Sequence, residues 1–174
     1  MTGVRLLFAA ALALVLLAVE SVLVKYLGLT VARIDVTVAI VAFLSLRAGL
    51  LEGASGAFAV GYLLDMMSGR PTGLYTFLAV FTFLLGRLAR SLVEVRGPGG
   101  FALFAMGADA VHGLLALLVT WLTSKTLGVA ALSPAGLPLE VLLTGAAAFC
   151  LYPLLQRFGP VAERAEPGLL GLAR

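Results

Sequence analysis

Long apolar runs, separated by short stretches that contain polar residues and helix breakers, set the pattern of this chain. A run of about 20 apolar residues is long enough to cross the hydrocarbon core of a bilayer as a helix. Five runs come close to this length, and the second run is shorter, with 13 residues. The predicted membrane-spanning helices cover residues 6–24, 34–46, 50–67, 74–93, 101–123 and 137–155.

Two places decide the helix boundaries. A helix of 13 residues covers only about 20 Å, which is short of a hydrocarbon core of about 30 Å. The second segment is therefore either extended by the flanking apolar residues Leu29–Ala32 and Leu50–Leu51, or it does not span fully and is discontinuous. The sequence RGPGG at 96–100 is predicted to be a plain break between helices, because glycine and proline dominate it.

The composition indicates a membrane protein. Of the 174 residues, 61% are hydrophobic and 12% are charged, whereas soluble domains are about 25% charged. We therefore predict an all-α, polytopic integral membrane protein with about six transmembrane helices in one domain, residues 1–156, followed by a solvated tail, 157–174. Basic runs interleaved with aromatic residues are absent from the sequence, so no nucleic-acid partner is expected.

The Lys and Arg residues predict the orientation, because cytoplasmic loops of membrane proteins are enriched in basic residues. With six helices and a cytoplasmic N-terminus, eight basic residues fall on the cytoplasmic side and four on the other. Both termini are then cytoplasmic. The eight are Arg5, Arg47, Arg87, Arg90, Arg96, Arg157, Arg164 and Arg174, and the four are Lys25, Arg33, Arg70 and Lys125.

A stripe of small residues runs along the third predicted helix. Gly49, Gly53, Ala57 and Gly61 recur at every fourth position and Asp65 comes next, so they lie on one face. A face with so little side chain lets another helix approach closely, as helices do in lipid. The stripe is a candidate packing or interaction face, internal or towards another protein. Asp65 is predicted to cap or brace the turn that follows, with ion binding as the alternative. That turn is marked by Ser68, Gly69, Pro71 and Gly73.

Ionisable residues also fall inside predicted helices, where they are costly and usually paired or functional. Asp109 and His112 lie three apart in the fifth helix and fit either a proton relay or a buried structural pair. Arg87 and Arg90 are expected to mark the cytoplasmic edge of the fourth helix. Arg87 is also a candidate partner of Asp109 across the two helices, and Arg90 is a candidate partner of Glu94.

Signals for metal, cofactor or covalent chemistry are weak. With one histidine and one cysteine in the chain, no metal site, cofactor or catalytic group is predicted, and Cys150 is expected to be a small buried hydrophobe. The sequence Gly53-Ala54-Ser55-Gly56 fits GxSG and resembles the serine motif of rhomboid intramembrane proteases, with His112 as the candidate base. That family uses further His and Asn residues for oxyanion stabilisation, and His112 is the only histidine.

The central block of the chain carries a series of short motifs. They are Asp35, Leu46-Arg47-Ala48-Gly49, Leu51-Glu52-Gly53, Gly56-Ala57-Phe58, Gly61-Tyr62-Leu63-Leu64-Asp65, Ser68-Gly69 and Pro71-Thr72-Gly73-Leu74-Tyr75. This series resembles the bacterial rod shape-determining protein MreD family, in which an apolar segment opening with Pro-Asp leads to an Arg-Gly turn, a Gly-rich helix ending GLLLD, and a turn with Pro-x-Gly. This chain departs from the pattern at Ile34, where the family usually has Pro.

The resemblance implies a non-enzymatic component of the cell-elongation machinery in the bacterial inner (cytoplasmic) membrane. MreD-like proteins partner the bitopic protein MreC, alongside the MreB filament, a RodA-type glycosyltransferase and a penicillin-binding transpeptidase, and maintain rod shape by organising lateral peptidoglycan synthesis. The implied fold is similar to that of the substrate-binding membrane subunits of energy-coupling-factor transporters. A small-molecule transporter subunit is therefore the main alternative, and a rhomboid-like protease using Ser55 and His112 is the lesser one.

Overall fold

The computed structural model describes residue 18 and residues 35–68, 73–127 and 136–158, and the regular structure in these ranges is helical. Apart from residue 18, the predicted first helix, 6–24, lies outside them, as does the tail beyond residue 158. The helices are α1 (Val36–Arg47), α2 (Leu50–Ser68), α3 (Leu74–Ala89), α4 (Gly97–Leu127) and α5 (Leu137–Phe158). The all-helical class predicted from the apolar runs is confirmed for these residues.

One predicted break is part of a helix. The segment 96–100 was expected to separate two helices, yet α4 begins at Gly97. Pro98 lies in the first turn, where its missing N–H would have no intrahelical acceptor, so proline is compatible with a helix start. The break comes earlier, at residues 90–96, because α3 already ends at Ala89.

The short helix α1 is the centre of the bundle and contacts each of the other four described helices. Nine of its 12 residues are buried, as expected of a helix that is apolar on every side. Its 12 residues cover about 18 Å. Of the two alternatives for this segment, the extension into Leu50–Leu51 does not occur, because these residues begin α2 after a connection at 48–49. The other part of that extension, Leu29–Ala32, lies outside the described residues.

Two helix pairs enclose α1. The most extensive packing is between α4 and α5 and between α2 and α3, which follow each other in the chain. Phe43 of α1 meets Phe101 of α4 edge to face, with ring centroids 5.8 Å apart. On the other side, Val41 of α1 packs in a buried cluster with Phe83 of α3. The central helix thus contributes to two apolar clusters, one with each helix pair.

The outward faces of the helices are also apolar. Large hydrophobic side chains are exposed on all four of α2 to α5. Cys150, which we expected to be buried, is exposed on α5. That prediction was wrong because apolar neighbours in the sequence indicate a buried residue only in a protein whose surface is polar.

Two of the described helices are long and apolar enough to cross a membrane, Gly97–Leu122 and Leu137–Arg157. Only 17% of the most apolar window of each is buried within the bundle. The core helix of a water-soluble protein would be mostly buried, and a signal sequence would lie near the N-terminus. Neither description fits these two helices.

Candidate functional site

The small-residue stripe of α2 packs inside the bundle against α3. A Cβ added at Gly61 would lie 2.6 Å from the Cα of Thr76, closer than real Cβ contacts come. A Cβ added at Gly53 would overlap the ring of Phe83, and Ala57 is fully buried. Of the two possibilities left open for the stripe, internal packing describes Gly53, Ala57 and Gly61, which α3 covers.

The remaining candidate residues lie in or next to the connections that flank α2. Gly49 lies in the connection between α1 and α2, and an added Cβ there would meet nothing within 4 Å. Gly73 immediately precedes α3 with φ +108°, a left-handed conformation that favours glycine. Ser68 is the last residue of α2, whereas Gly69 and Pro71 lie outside the described residues.

Asp65 caps the start of α3 from the neighbouring helix. Its Oδ1 accepts from the backbone N–H of Tyr75 at 2.9 Å, and its Oδ2 accepts from the N–H of Thr76 at 3.0 Å and from the Thr76 hydroxyl at 2.5 Å. The backbone of Gly73 also hydrogen-bonds to this carboxylate. Gly73 has no side chain to satisfy the free N–H groups of the first turn, so the buried Asp65 supplies the acceptors instead.

Arg87 forms a hydrogen bond to the C-terminal end of the central helix α1. Its Nη1 donates to the carbonyl oxygen of Ala48, the C-cap of α1, at 2.8 Å. The predicted pair between Arg87 and Asp109 does not form. Arg87 lies in the last turn of α3 and reaches back to α1, whereas Asp109 contacts α5 as described below.

Arg90 and Glu94 are not paired either. Arg90 is exposed just after α3 ends, and Glu94 forms an exposed ion pair with Arg96. The spacing of four residues brings side chains together only on a continuous helix, and here the chain leaves the helix between the two positions.

Polar side chains converge at the start of α1. Asp35 is the N-cap of this helix, with Oδ1 accepting from the N–H of Val38 at 3.0 Å. The N–H of Asp35 donates to the hydroxyl of Thr144, in α5, at 3.0 Å. Thr144 also hydrogen-bonds to the side chain of Asp109, in α4. One threonine therefore joins the start of the central helix to both members of the α4–α5 pair.

His112 extends this polar cluster to α3. Its Nδ1 lies 2.9 Å from the hydroxyl of Thr82, and both side chains are buried. The described hydrogen bonds join His112 to Thr82 and Asp109 to Thr144, so the proton relay between Asp109 and His112 stays a prediction. The cluster provides buried groups that can hold protons or hydrogen-bond to a polar molecule. Within the described ranges, no three potential ligands come together to hold a metal ion.

Three members of the cluster were not identified from the sequence as functional candidates. Asp35 had a usable signal, since an acid directly before an apolar run is a common N-cap. Thr82 and Thr144 had none, because a single threonine in an apolar helix is unremarkable until its neighbours are known. The hydroxyl groups acquire a role only through contacts between helices.

The serine and histidine of the rhomboid-like motif are not brought together as a dyad. The Ser55 side chain is exposed on α2, and its hydroxyl donates to the carbonyl oxygen of Glu52 at 2.9 Å. His112 is buried and bonds to Thr82 of α3. A serine activated by a histidine requires a hydrogen bond between the two, and each side chain here has another partner.

Asp109→Asn is expected to raise the melting temperature of the purified protein. The amide keeps a hydrogen bond to Thr144, and the carboxylate being replaced is buried with Oδ2 lacking a hydrogen-bond partner among the described residues. Removing a poorly compensated buried charge is expected to stabilise the fold by about 1–2 kcal/mol. Thermal unfolding in detergent measures the shift. Asp109→Leu, which also loses the hydrogen bond, is the control and is expected to be less stable than the Asn variant; a lower melting temperature for Asp109→Asn than for the unaltered protein would contradict this account.

Comparison of the chain with models of protein families, with curated proteins and with solved structures found no match.

Proposed function

We propose that this chain is an MreD-like scaffold of the bacterial cell-elongation machinery. It is a non-enzymatic, multi-pass protein of the inner membrane, with both termini in the cytoplasm, and it partners an MreC-like bitopic protein. Through that partner it acts with MreB-like, RodA-like and penicillin-binding components to organise lateral peptidoglycan synthesis and maintain rod shape. The apolar outward faces of α4 and α5 support the membrane location.

The observation that carries this proposal is that residues of the MreD-like pattern form one packed unit. Gly53 and Gly61 let α2 approach α3 closely, and Asp65 caps α3. Asp35, the first residue of the pattern, caps the central helix on which this pair packs. At several separate positions, the residue type that the pattern requires therefore makes a specific packing contact or helix cap. This is expected if the resemblance reflects a common fold.

The exposed face of α2 is the proposed contact for a transmembrane helix of the partner. Phe58 and Tyr62 are both exposed there and stack on each other, with ring centroids 6.2 Å apart. Leu51 and Met66 are exposed on the same helix at positions that continue this face. Exposed aromatic side chains on a rigid helix are suited to anchoring a partner, and the small-residue stripe is already occupied by α3.

The test replaces both aromatic anchors. Phe58→Ala combined with Tyr62→Ala is expected to reduce capture of an MreC-like protein from solubilised membranes by about tenfold or more and to make rod-shaped cells round. The matched control is Phe77→Ala with Phe81→Ala, since these residues form a second exposed, stacked pair, on α3. The control is expected to keep capture and cell shape.

Two results would overturn parts of this proposal. Equal loss in both double variants, or no loss in either, would rule out the α2 face as the specific contact. If the unaltered protein captures no MreC-like protein, and its depletion leaves cells rod-shaped, the scaffold function itself is wrong.

A substrate-binding subunit of a small-molecule transporter is the second candidate, and the buried polar cluster favours it. Asp35, Asp109 and His112 place polar groups from different helices around one interior region, as ligand sites of membrane proteins do. A small molecule that copurifies with the wild-type protein, and is lost in Asp109→Leu, would favour this function over the scaffold.

A further inference from the structure

A cavity of about 460 Å³ lies at the end of the bundle where α1 finishes and α4 begins. Phe43, Phe101 and Tyr152 line it, together with Arg47, Arg90 and the connection that contains Glu94. The volume is within the range of small-molecule sites, about 300–1,000 Å³. It lies at the opposite end of α1 from the polar cluster, so it is a separate site.

The inner wall of this cavity is aromatic and firmly packed. Phe43 and Phe101 are buried and meet edge to face, and the ring of Phe101 lies 5.4 Å from that of Tyr152, centroid to centroid. These three rings come from α1, α4 and α5. Phe101 is fully buried and Phe43 almost fully, so these two rings form a fixed layer behind the cavity. The partly exposed Leu46, Val95 and Tyr152 supply its accessible apolar surface.

The outer part of the cavity is cationic. Arg47 ends α1 and Arg90 follows α3, and both side chains are exposed. The one acidic residue of the lining, Glu94, already forms an ion pair with Arg96. Neither Arg47 nor Arg90 forms an ion pair with another described residue. Two cations beside an apolar wall complement a molecule with an anionic head and an apolar body.

We propose that this cavity binds an anionic phospholipid, with the headgroup phosphate between Arg47 and Arg90 and the first part of an acyl chain against Leu46, Val95 and Tyr152. The inference rests on the membrane location and orientation in the proposed function. In that orientation this end of the bundle faces the cytoplasm, where basic pockets between helices meet anionic lipid headgroups.

The test measures the thermal stability of the full chain, purified in a neutral detergent, while lipid is added. Dioleoylphosphatidylglycerol is expected to raise the melting temperature with saturation, and dioleoylphosphatidylcholine is not. Arg47→Gln combined with Arg90→Gln is expected to weaken the apparent affinity for phosphatidylglycerol by roughly tenfold or more. The matched control is Arg157→Gln, an exposed arginine in the last turn of α5 that does not line the cavity.

Each contrary result overturns the assignment. An equal shift with phosphatidylcholine would remove the requirement for an anionic head, and an equal shift with inorganic phosphate alone would remove the requirement for a lipid. An unchanged affinity in the double variant would place the lipid elsewhere. If the double variant does not fold, Arg90→Gln alone answers the question, because it alters one exposed side chain outside the helices.

The assay also separates this inference from the scaffold function, because it contains no partner protein. Loss of lipid binding in the arginine variant, with capture of the MreC-like protein retained, would support the cavity and leave the scaffold untouched. Failure of the wild-type protein to respond to phosphatidylglycerol, with capture retained, would overturn the lipid site alone.

Discussion

Gly61→Ala is expected to separate α2 from α3 and to cause a large loss of stability. The added Cβ would lie 2.6 Å from the Cα of Thr76 and 2.8 Å from the carbonyl oxygen of Tyr75. Both are backbone atoms, so no side-chain rotation relieves the overlap. We expect a loss of about 3 kcal/mol or more, measured as a fall in melting temperature in detergent, together with loss of partner capture and of rod shape.

Gly107→Ala is the matched control for this change. Gly107 lies within α4, and a Cβ added there meets nothing within 4 Å. Alanine is favoured over glycine in a helix interior by about 1 kcal/mol, so this variant is expected to be as stable as the unaltered protein or slightly more so. If Gly61→Ala and Gly107→Ala behaved alike, the close contact between α2 and α3 would not exist in the folded protein.

Asp65→Asn is the second change with a large expected effect. Both carboxylate oxygens accept hydrogen bonds from the first turn of α3, and an asparagine must direct its NH₂ group at some of these same donors. The loss of buried acceptors, and of a negative charge at a helix N-terminus, is expected to cost about 2–4 kcal/mol. The measurements are thermal unfolding in detergent and recovery of rod shape after depletion of the wild-type protein.

Glu94→Gln is the control for Asp65→Asn, because it makes the same chemical change at an exposed acid whose described ion-pair partner is Arg96. Exposed ion pairs contribute little to stability, so no measurable change is expected. A wild-type melting temperature for Asp65→Asn would mean that the cap is dispensable. Loss of rod shape at an unchanged melting temperature would instead assign Asp65 a direct role in function.

Several features of the fold follow from local patterns and are predictable on that account. A run of about 20 apolar residues is the length of a membrane-spanning helix, in which each backbone N–H and C=O finds a partner within the segment. A small residue at every fourth position indicates close helix contact. An acid before a turn indicates a cap, and Asp65 forms one. Each of these signals depends on a few neighbouring residues and on helix geometry.

Burial was the property that could not be predicted. In a water-soluble helix the polar face marks the outside, but here the outer faces carry Leu103, Leu118 and Phe149 and are as apolar as the core. Cys150 was placed inside for this reason, and it is exposed. Because buried and exposed faces are equally apolar, the sequence did not indicate that α1 is the central helix. Its short length suggested a helix that does not span the membrane fully.

The amino-acid pattern on its own predicted the helical class, the approximate positions of the five described helices and a stripe of small residues suited to close packing. These features depend on residues near one another in the chain. Only the tertiary structure showed that α3 covers the stripe, that Arg87 reaches Ala48, and that Thr144 joins Asp35 to Asp109. These contacts join residues distant in sequence. In an apolar chain these contacts depend on which helix faces pack together. Because all faces are apolar, the hydrophobic periodicity of the sequence does not identify the packing faces.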